Sequence, residues 1–76
     1  MSKEETLSHI SSDPEIMHGK PCIKGTRIPV WLVVSMLGDG MTEDEILQQY
    51  PSLSLQDIKA ALKYASYATD YERIAL

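Results

Sequence analysis

Few side chains in this sequence suit metal binding or nucleophilic catalysis. His9, His18 and Cys22 are the only soft metal ligands, whereas a zinc site normally takes four such groups at a recognisable spacing. A nucleophile needs an adjacent base and a third group that orients the base. His18 lies four positions before Cys22, but the turn-forming residues around them fix no such geometry. We therefore expect no metal site, no cofactor and no enzymatic activity.

A basic loop is the first segment suited to binding a ligand. Lys20, Lys24 and Arg27 fall close together, and Gly19 and Gly25 free the backbone between them. Exposed amides and cationic side chains in such a loop can hold a phosphate. The segment lacks the Gly-Lys-Ser/Thr of a P-loop, so nucleotide hydrolysis is not expected. The alternative is structural: a tight hairpin turn in which Arg27 pairs with an acidic residue.

Length and charge narrow the class of protein. The 76 residues include 11 acidic and 7 basic side chains, which gives a net charge of -4 and argues against wholesale wrapping of nucleic acid. A single cysteine excludes an intrachain disulfide and is typical of a reducing compartment. A single hydrophobic core in a chain of this length rarely gives a free energy of unfolding above roughly 3–5 kcal/mol. We therefore expect a homodimer.

The sequence predicts no secretion signal and no membrane span. The first residues carry a lysine but no apolar run behind it. The longest mostly apolar stretch, residues 28–37, is much shorter than the roughly 20 residues that cross a bilayer. A cytoplasmic protein without a membrane partner is the expectation.

The chain divides into a tail and one domain. Residues 1–8 are polar and predict a flexible tail, and residues 9–76 form the single domain. Within it, residues 9–30 alternate short apolar points with turn-forming residues, which predicts a small β hairpin. The turn-forming residues are Asp13, Pro14, Gly19, Pro21 and Gly25. Residues 30–76 predict a helical core.

The first predicted helix follows Pro29 and is apolar on nearly every side. Proline is well tolerated at a helix start, and Gly38 suits the left-handed residue that caps a helix end. A helix without a polar face is usually buried. We therefore expect this helix at the centre of the domain.

Two capping boxes predict the starts of the second and third helices. Thr42 and Glu45 form the first box, and the helix that they begin should end near Tyr50 because a proline follows. Ser54 begins a third helix that we expect to continue to about Tyr71. The second and third helices with their short connection predict a helix-turn-helix.

Spacing divides the third helix into a core stripe and a polar flank. At 100° per residue the core stripe comprises Leu55, Ile58, Leu62, Ala65 and Thr69. The polar flank has the residue types that contact DNA when a helix enters the major groove, although an ordinary solvated surface looks the same. The candidate DNA contacts are Gln56, Lys59 and Lys63 on this flank, with Lys20, Lys24 and Arg27 on phosphates.

The other side of the third helix interleaves alanines with tyrosines. Tyrosine brings a large contact area at low entropy cost, so this side suits a partner interface. The alternative is that the tyrosines fold onto their own chain. The candidate interface residues are Ala60, Tyr64, Tyr67, Ala68 and Tyr71, with Ala61 beside them.

Several strings resemble the domain-of-unknown-function family numbered 433. They are SDPEIMHGKPCIKGTRIPV at residues 12–30, TEDEIL at 42–47, YP at 50–51 and LQDIKAAL at 55–62. The resemblance covers roughly residues 9–68 and implies a homeodomain-like helix-turn-helix preceded by a small β hairpin. It also implies an antitoxin that binds a PIN-like ribonuclease, often encoded beside it, and its own operator DNA. It brings no catalytic residue.

These observations predict a mainly α fold, with three helices in a homeodomain-like helix-turn-helix and a small N-terminal β hairpin. The predicted function is a non-enzymatic antitoxin-like protein that binds a PIN-like nuclease toxin, with operator DNA as a further candidate ligand. The alternative is a protein-interaction or dimerisation module that does not bind DNA.

Overall fold

The computed structural model describes residues 1–69, which contain four α-helices and a two-stranded antiparallel sheet. In chain order the elements are α1 (Lys3–Ser8), β1 (Ile10–Ser11), β2 (Cys22–Ile23), α2 (Val30–Gly38), α3 (Glu43–Gln49) and α4 (Leu55–Ala68). This confirms the predicted fold class, a mainly helical domain with a small N-terminal hairpin. Within the described residues no helix is long and apolar enough to span a bilayer.

Residues 3–8 form a helix, so the predicted flexible tail was wrong. Ser2 Oγ accepts a hydrogen bond of 3.0 Å from the amide of Glu5, and the Glu5 carboxylate accepts one of 3.4 Å from the amide of Ser2. This capping box begins α1, and the fully buried Thr6 lies in the middle of the helix. Six residues form no stable helix in isolation. Packing against α4 and β1 holds α1 in place.

The β hairpin pairs Ile10 with Ile23 and Ser11 with Cys22. Beyond β2 the chain reverses in a β-turn whose third residue, Gly25, has a φ of +81° that favours glycine. The Thr26 hydroxyl donates to the Ile23 carbonyl at 2.8 Å and accepts from the amide of Ile28 at 3.0 Å. The glycine and threonine that follow Lys24 are therefore explained by the turn.

The starts of the three longer helices agree with the sequence prediction, but two of their ends do not. The helix predicted to continue to about Tyr71 ends at Ala68, where Thr69 caps α4. Capping boxes begin α3 and α4 at Thr42 and Ser54, and α3 ends before Tyr50 as expected. At the end of α2 the left-handed residue is Gly40, with a φ of +94°, and not Gly38. The amide of Met41 donates to the Met36 carbonyl at 3.1 Å, the closing bond of a Schellman motif.

The core lies where α2 and α4 pack together over the hairpin and α3. It consists of Ile23, Val30, Val33, Met36, Ile46, Leu53, Ile58 and Ala61. Central burial of α2 is confirmed for Val33 and Met36, but Trp31 projects outward with 54% of its surface exposed. The prediction that α2 is a buried central helix was therefore wrong at Trp31.

The predicted core stripe of α4 was wrong at three positions. Ile58 is fully buried as predicted, but Leu55 and Leu62 are 40% and 44% exposed, and Thr69 is exposed as well. The buried residues beside Ile58 are Ala60 and Ala61. Because α4 packs against both α1 and α2, its small side chains face its neighbours and its leucines point outward.

Two substitutions in α4 test this orientation. Ile58→Val removes one methylene from a fully buried side chain and should lower the free energy of unfolding by about 0.5–1.5 kcal/mol. Leu62→Ala removes more carbon from an exposed position and should change it by no more than about 0.5 kcal/mol. Urea unfolding of both variants in dilute solution measures the two values. A larger loss in Leu62→Ala would contradict the orientation of α4.

Candidate protein-binding groove

An apolar groove of about 580 Å3 lies between α2 and the second half of α4. Its lining residues come from these two helices and from the segment that precedes β2. They are Lys20, Pro21, Val30, Trp31, Val34, Ser35, Tyr64, Ala65, Ala68 and Thr69. We call this feature the Trp31 groove. Its volume lies in the range of pockets that bind ligands, roughly 300–1,000 Å3.

The same residue spacing in two helices produces the groove. Positions i, i+1, i+4 and i+5 line the groove in both cases, beginning at Val30 in α2 and at Tyr64 in α4, where the last position is the capping residue Thr69. Residues three to four apart lie on one helix face, so each set forms one side of the groove. The lining includes two aromatic side chains, Trp31 and Tyr64, and two alanines, Ala65 and Ala68. Small residues let an incoming chain come close to the helix backbone.

Lys20 is the one charged residue among those that line the Trp31 groove. It lies beside Pro21, whose carbonyl accepts a hydrogen bond of 2.9 Å from the first residue of α2, Val30. Lys20 is therefore near the end of the groove where α2 begins.

A strained turn leads into Lys20. Met17 and His18 have φ values of 51° and 57°, in the left-handed region that side chains other than glycine rarely adopt, and Gly19 follows at 82°. The amide of Lys20 closes the turn on the Met17 carbonyl at 3.1 Å. Strained residues of this kind persist only where surrounding contacts hold them, often beside functional sites.

The structure divides the predicted tyrosine interface among three environments. Tyr64 and Ala68 line the Trp31 groove, whereas Ala60 is fully buried inside the protein and cannot contact a partner. Tyr67 is half-buried, and the ammonium groups of Lys3 and Lys63 each lie 5.5 Å from the centroid of its ring. Tyr71 lies outside the described residues. The prediction of one continuous interface was therefore wrong at Ala60, which packs within its own chain.

The predicted DNA contacts of α4 all lie on its outer face. Gln56, Lys59 and Lys63 are exposed, and they share this face with the exposed Leu55 and Leu62. A helix face that carries two exposed leucines beside two lysines suits protein contact as well as DNA contact.

The three cations of the basic loop lie in different places. Lys20 lines the Trp31 groove, Arg27 lines a second, more polar hollow together with Asp13, and Lys24 is exposed but lines neither. The structure therefore does not bring these cations together around one phosphate. The hydrogen bonds of this segment support its interpretation as a tight turn. The ion pair expected there between Arg27 and an acidic side chain is not found within residues 1–69.

A polar contact that the sequence did not reveal joins the hairpin to α4. His9 Nδ1 lies 2.7 Å from Asp57 Oδ1, and the other carboxylate oxygen of Asp57 accepts from the amide of Ser54 at 2.9 Å. Partial burial raises the pKa of Asp57, but the hydrogen bonds from His9 and Ser54 outweigh that effect and hold the pKa below its ordinary value. Asp57 therefore caps α4 and also contacts His9, the residue that precedes β1.

The structure places the candidate nucleophile and its candidate base in different surroundings. Cys22 is buried, and its thiol lies 3.4 Å from the Lys20 carbonyl. His18 is exposed on the strained turn. Across residues 1–69 no three His, Cys, Asp or Glu side chains are placed to hold a metal ion.

Comparison with known proteins identifies relatives of most of this chain. The profile of the family described as "Protein of unknown function (DUF433)" matches residues 10–65. The uncharacterized protein y4eO of Sinorhizobium fredii (strain NBRC 101917 / NGR234) is 36% identical over 56 residues, which are 74% of this chain and 25% of that protein. The chain therefore spans only a quarter of the length of this relative.

A solved structure has the same fold. The crystal structure of a DUF433 member protein from Anabaena variabilis superposes with a TM-score of 0.73 and 29% sequence identity. The similarity covers 99% of this chain and 82% of the other. The arrangement of helices and hairpin is thus shared along the chain.

Removing the charge of Asp57 should make stability less dependent on pH. A carboxylate whose pKa is lowered by folding stabilises the protein above its unfolded-state pKa, about 3.9, and that stability is lost as the pH falls through the folded-state pKa. Asp57→Asn should therefore lower the free energy of unfolding by about 1 kcal/mol at pH 7. The difference in the free energy of unfolding between this variant and the wild type should become smaller below pH 4. Urea unfolding at several pH values measures both.

The matched control is the same capping position in α3. Glu45→Gln keeps a side chain that can complete the capping box, and Glu45 is exposed and has no histidine partner among the described residues. Its effect at pH 7 should be smaller than that of Asp57→Asn. Equal losses of unfolding free energy in the two variants would contradict the role given to the His9 contact. A loss in Asp57→Asn that does not change with pH would contradict it as well.

Proposed function

The chain belongs to the DUF433 family, and on that premise we propose that it is a non-enzymatic, antitoxin-like protein that binds a PIN-like nuclease through the Trp31 groove. The exposed Trp31 at the edge of this groove carries the proposal. Tryptophan is enriched among the residues that dominate binding energy at protein interfaces, especially where it meets a concave apolar surface. The DUF433 resemblance supplies the nuclease as the partner to test.

The groove supports protein binding rather than the storage of a small polar molecule. Lys20 is its one charged side chain, and most of its other side chains are aliphatic or aromatic. Covering such a surface removes apolar area from water, which contributes about 25 cal/mol per Å2 before the costs of association. Tyr64 adds a second aromatic ring with a hydroxyl that can remain hydrated at the rim of an interface.

Trp31→Ala should abolish most of the binding to the nuclease. The test co-expresses the chain with a PIN-like nuclease encoded next to its gene and measures both co-purification and growth. Loss of a tryptophan that dominates an interface typically costs at least about 2 kcal/mol, a weakening of roughly thirtyfold, so growth protection should fail as well. Leu7→Ala, a change at a comparably exposed apolar residue outside the groove, is the control.

Two outcomes would refute this part of the proposal. One is a neighbouring nuclease that the wild-type chain neither binds nor neutralises. The other is binding that Trp31→Ala and Leu7→Ala weaken equally, because the groove would then have no special part in it.

Operator binding is the second candidate function. The exposure of Gln56, Lys59 and Lys63 on one face of α4 favours it, since α3 and α4 are the pair that would place this face in a major groove. The net charge of -4 and the leucines on the same face weigh against it and favour a protein-interaction module without DNA binding.

Replacing Lys59 and Lys63 with alanine tests operator binding. If both contact phosphate, binding to the upstream region of the protein's own gene should weaken, and the slope of log K against log salt should become shallower by about 1.8. Fluorescence anisotropy at several salt concentrations measures this slope. Lys3→Ala, a change at a lysine of α1, is the matched control. No measurable binding by the wild type, or an unchanged slope in the double variant, would exclude this role for α4.

A cytoplasmic homodimer completes the proposal. The single cysteine is a buried free thiol, which fits a reducing compartment. A chain of 76 residues also gains little stability from one core, so a second subunit would add to it. Leu55 and Leu62 offer apolar surface for a second copy on the outer face of α4. Such a dimer would leave the Trp31 groove free for the nuclease but would cover the face that operator binding needs.

A further inference from the structure

We propose that the Trp31 groove binds an amphipathic helix of a partner protein. The apolar side chains of this helix contact the alanines of the groove, and one of its carboxylates pairs with Lys20. This inference rests on the proposed protein-binding function and specifies the chemistry of the partner. It follows from the shape of the groove, from its charge and from the character of the chain's own exposed surfaces.

The shape of the groove fits a helix better than an extended strand. Both sides are helix faces, each with two pairs of neighbouring residues one turn apart. Ala65 and Ala68 lie one turn apart on α4, where their size permits close approach of a third helix. An extended peptide gains much of its affinity from hydrogen bonds to an open sheet edge, and the groove lining contains no residue of β1 or β2.

The charge of the groove selects an acidic partner. Lys20 lies at the end where α2 begins, and the first turn of α2 contains no acidic residue. By contrast, α1, α3 and α4 each carry an acidic residue in the first turn. The partial positive charge at the start of α2 therefore adds to that of Lys20. A glutamate or aspartate near one end of the partner helix would be attracted to both.

A second copy of this chain fits the groove poorly. Its exposed apolar helix face, with Leu55 and Leu62, carries Lys59 and Lys63. Those lysines would come close to Lys20, and like charges oppose each other across an interface. This charge clash favours a different chain, with acidic residues beside its apolar stripe, over the α4 face of a second copy.

Selection from a randomised display library of helical peptides tests the inference. The full chain serves as bait, and peptides that also bind Trp31→Ala are removed. Enriched peptides should carry apolar residues at positions i, i+4 and i+7 and at least one Asp or Glu near one end. The absence of any Trp31-dependent peptide, or enrichment of basic ones, would overturn the proposal.

Trp31 fluorescence then shows whether a selected peptide binds in the Trp31 groove. Trp31 is the only tryptophan in the chain, so its fluorescence should shift to the blue as the peptide covers it. Lys20→Glu should weaken binding by about fivefold, and replacing the acidic residue of the peptide with lysine should restore it. Lys24→Glu, a change at an exposed lysine outside the groove, should weaken binding by less than twofold. Equal losses in both variants would overturn the charge argument.

Dilution of the free protein examines the second-copy alternative. If Trp31 emission moves to the blue as the chain alone is concentrated, with a doubling of mass by light scattering, the occupant is a second copy and the proposal fails. Constant emission supports it. Peptide selection does not depend on the nuclease, so a nuclease that does not bind would refute the proposed function while leaving the helix-binding groove supported.

Discussion

The packing of α4 between α1 and α2 determines which surfaces this protein can offer. Ala60 and Ala61 are fully buried, and both fit closely against neighbouring elements because their side chains are small. This orientation turns Leu55 and Leu62 outward and places Tyr64 beside Trp31. A rotation of α4 that buried the leucines would expose the alanines and close the Trp31 groove. Close-packed interiors permit few such alternatives.

The sequence predicted local structure well, because helix ends depend on neighbouring residues. The capping boxes at Thr42 and Ser54 and the stop before Pro51 each involve residues within a few positions of one another. The same motif was present at Ser2 and Glu5, but six residues are too few to indicate a helix without knowledge of what they pack against. That packing is a tertiary effect.

The omission of α1 explains why the faces of α4 were predicted incorrectly. When α4 is assumed to pack on one side only, its leucines are the expected core residues. The side with alanines and tyrosines is then predicted to contact a partner. In the structure α1 contacts that side, where Lys3 lies near the ring of Tyr67. Periodicity alone gives the spacing of a stripe but not the number of helices that cover it.

The candidate site depends on contacts between distant parts of the chain, which spacing could not supply. Trp31 lies in an apolar helix and looked like a core residue, yet it is more than half exposed. Lys20 was grouped with Lys24 and Arg27 because they are close in sequence, but β2 separates Lys20 from Lys24, and Lys20 and Arg27 line different hollows. His9 and Asp57 meet across 48 positions.

The orientation of α4 can be tested most directly by thiol labelling at two adjacent positions. In a Cys22→Ser background, Leu62→Cys should react with a thiol reagent almost as fast as an unfolded peptide. Ala61→Cys, at a fully buried position, should react at least about a hundredfold more slowly, because labelling there requires local opening. Rapid labelling at position 61 with protection at 62 would contradict the account and remove the Trp31 groove with it.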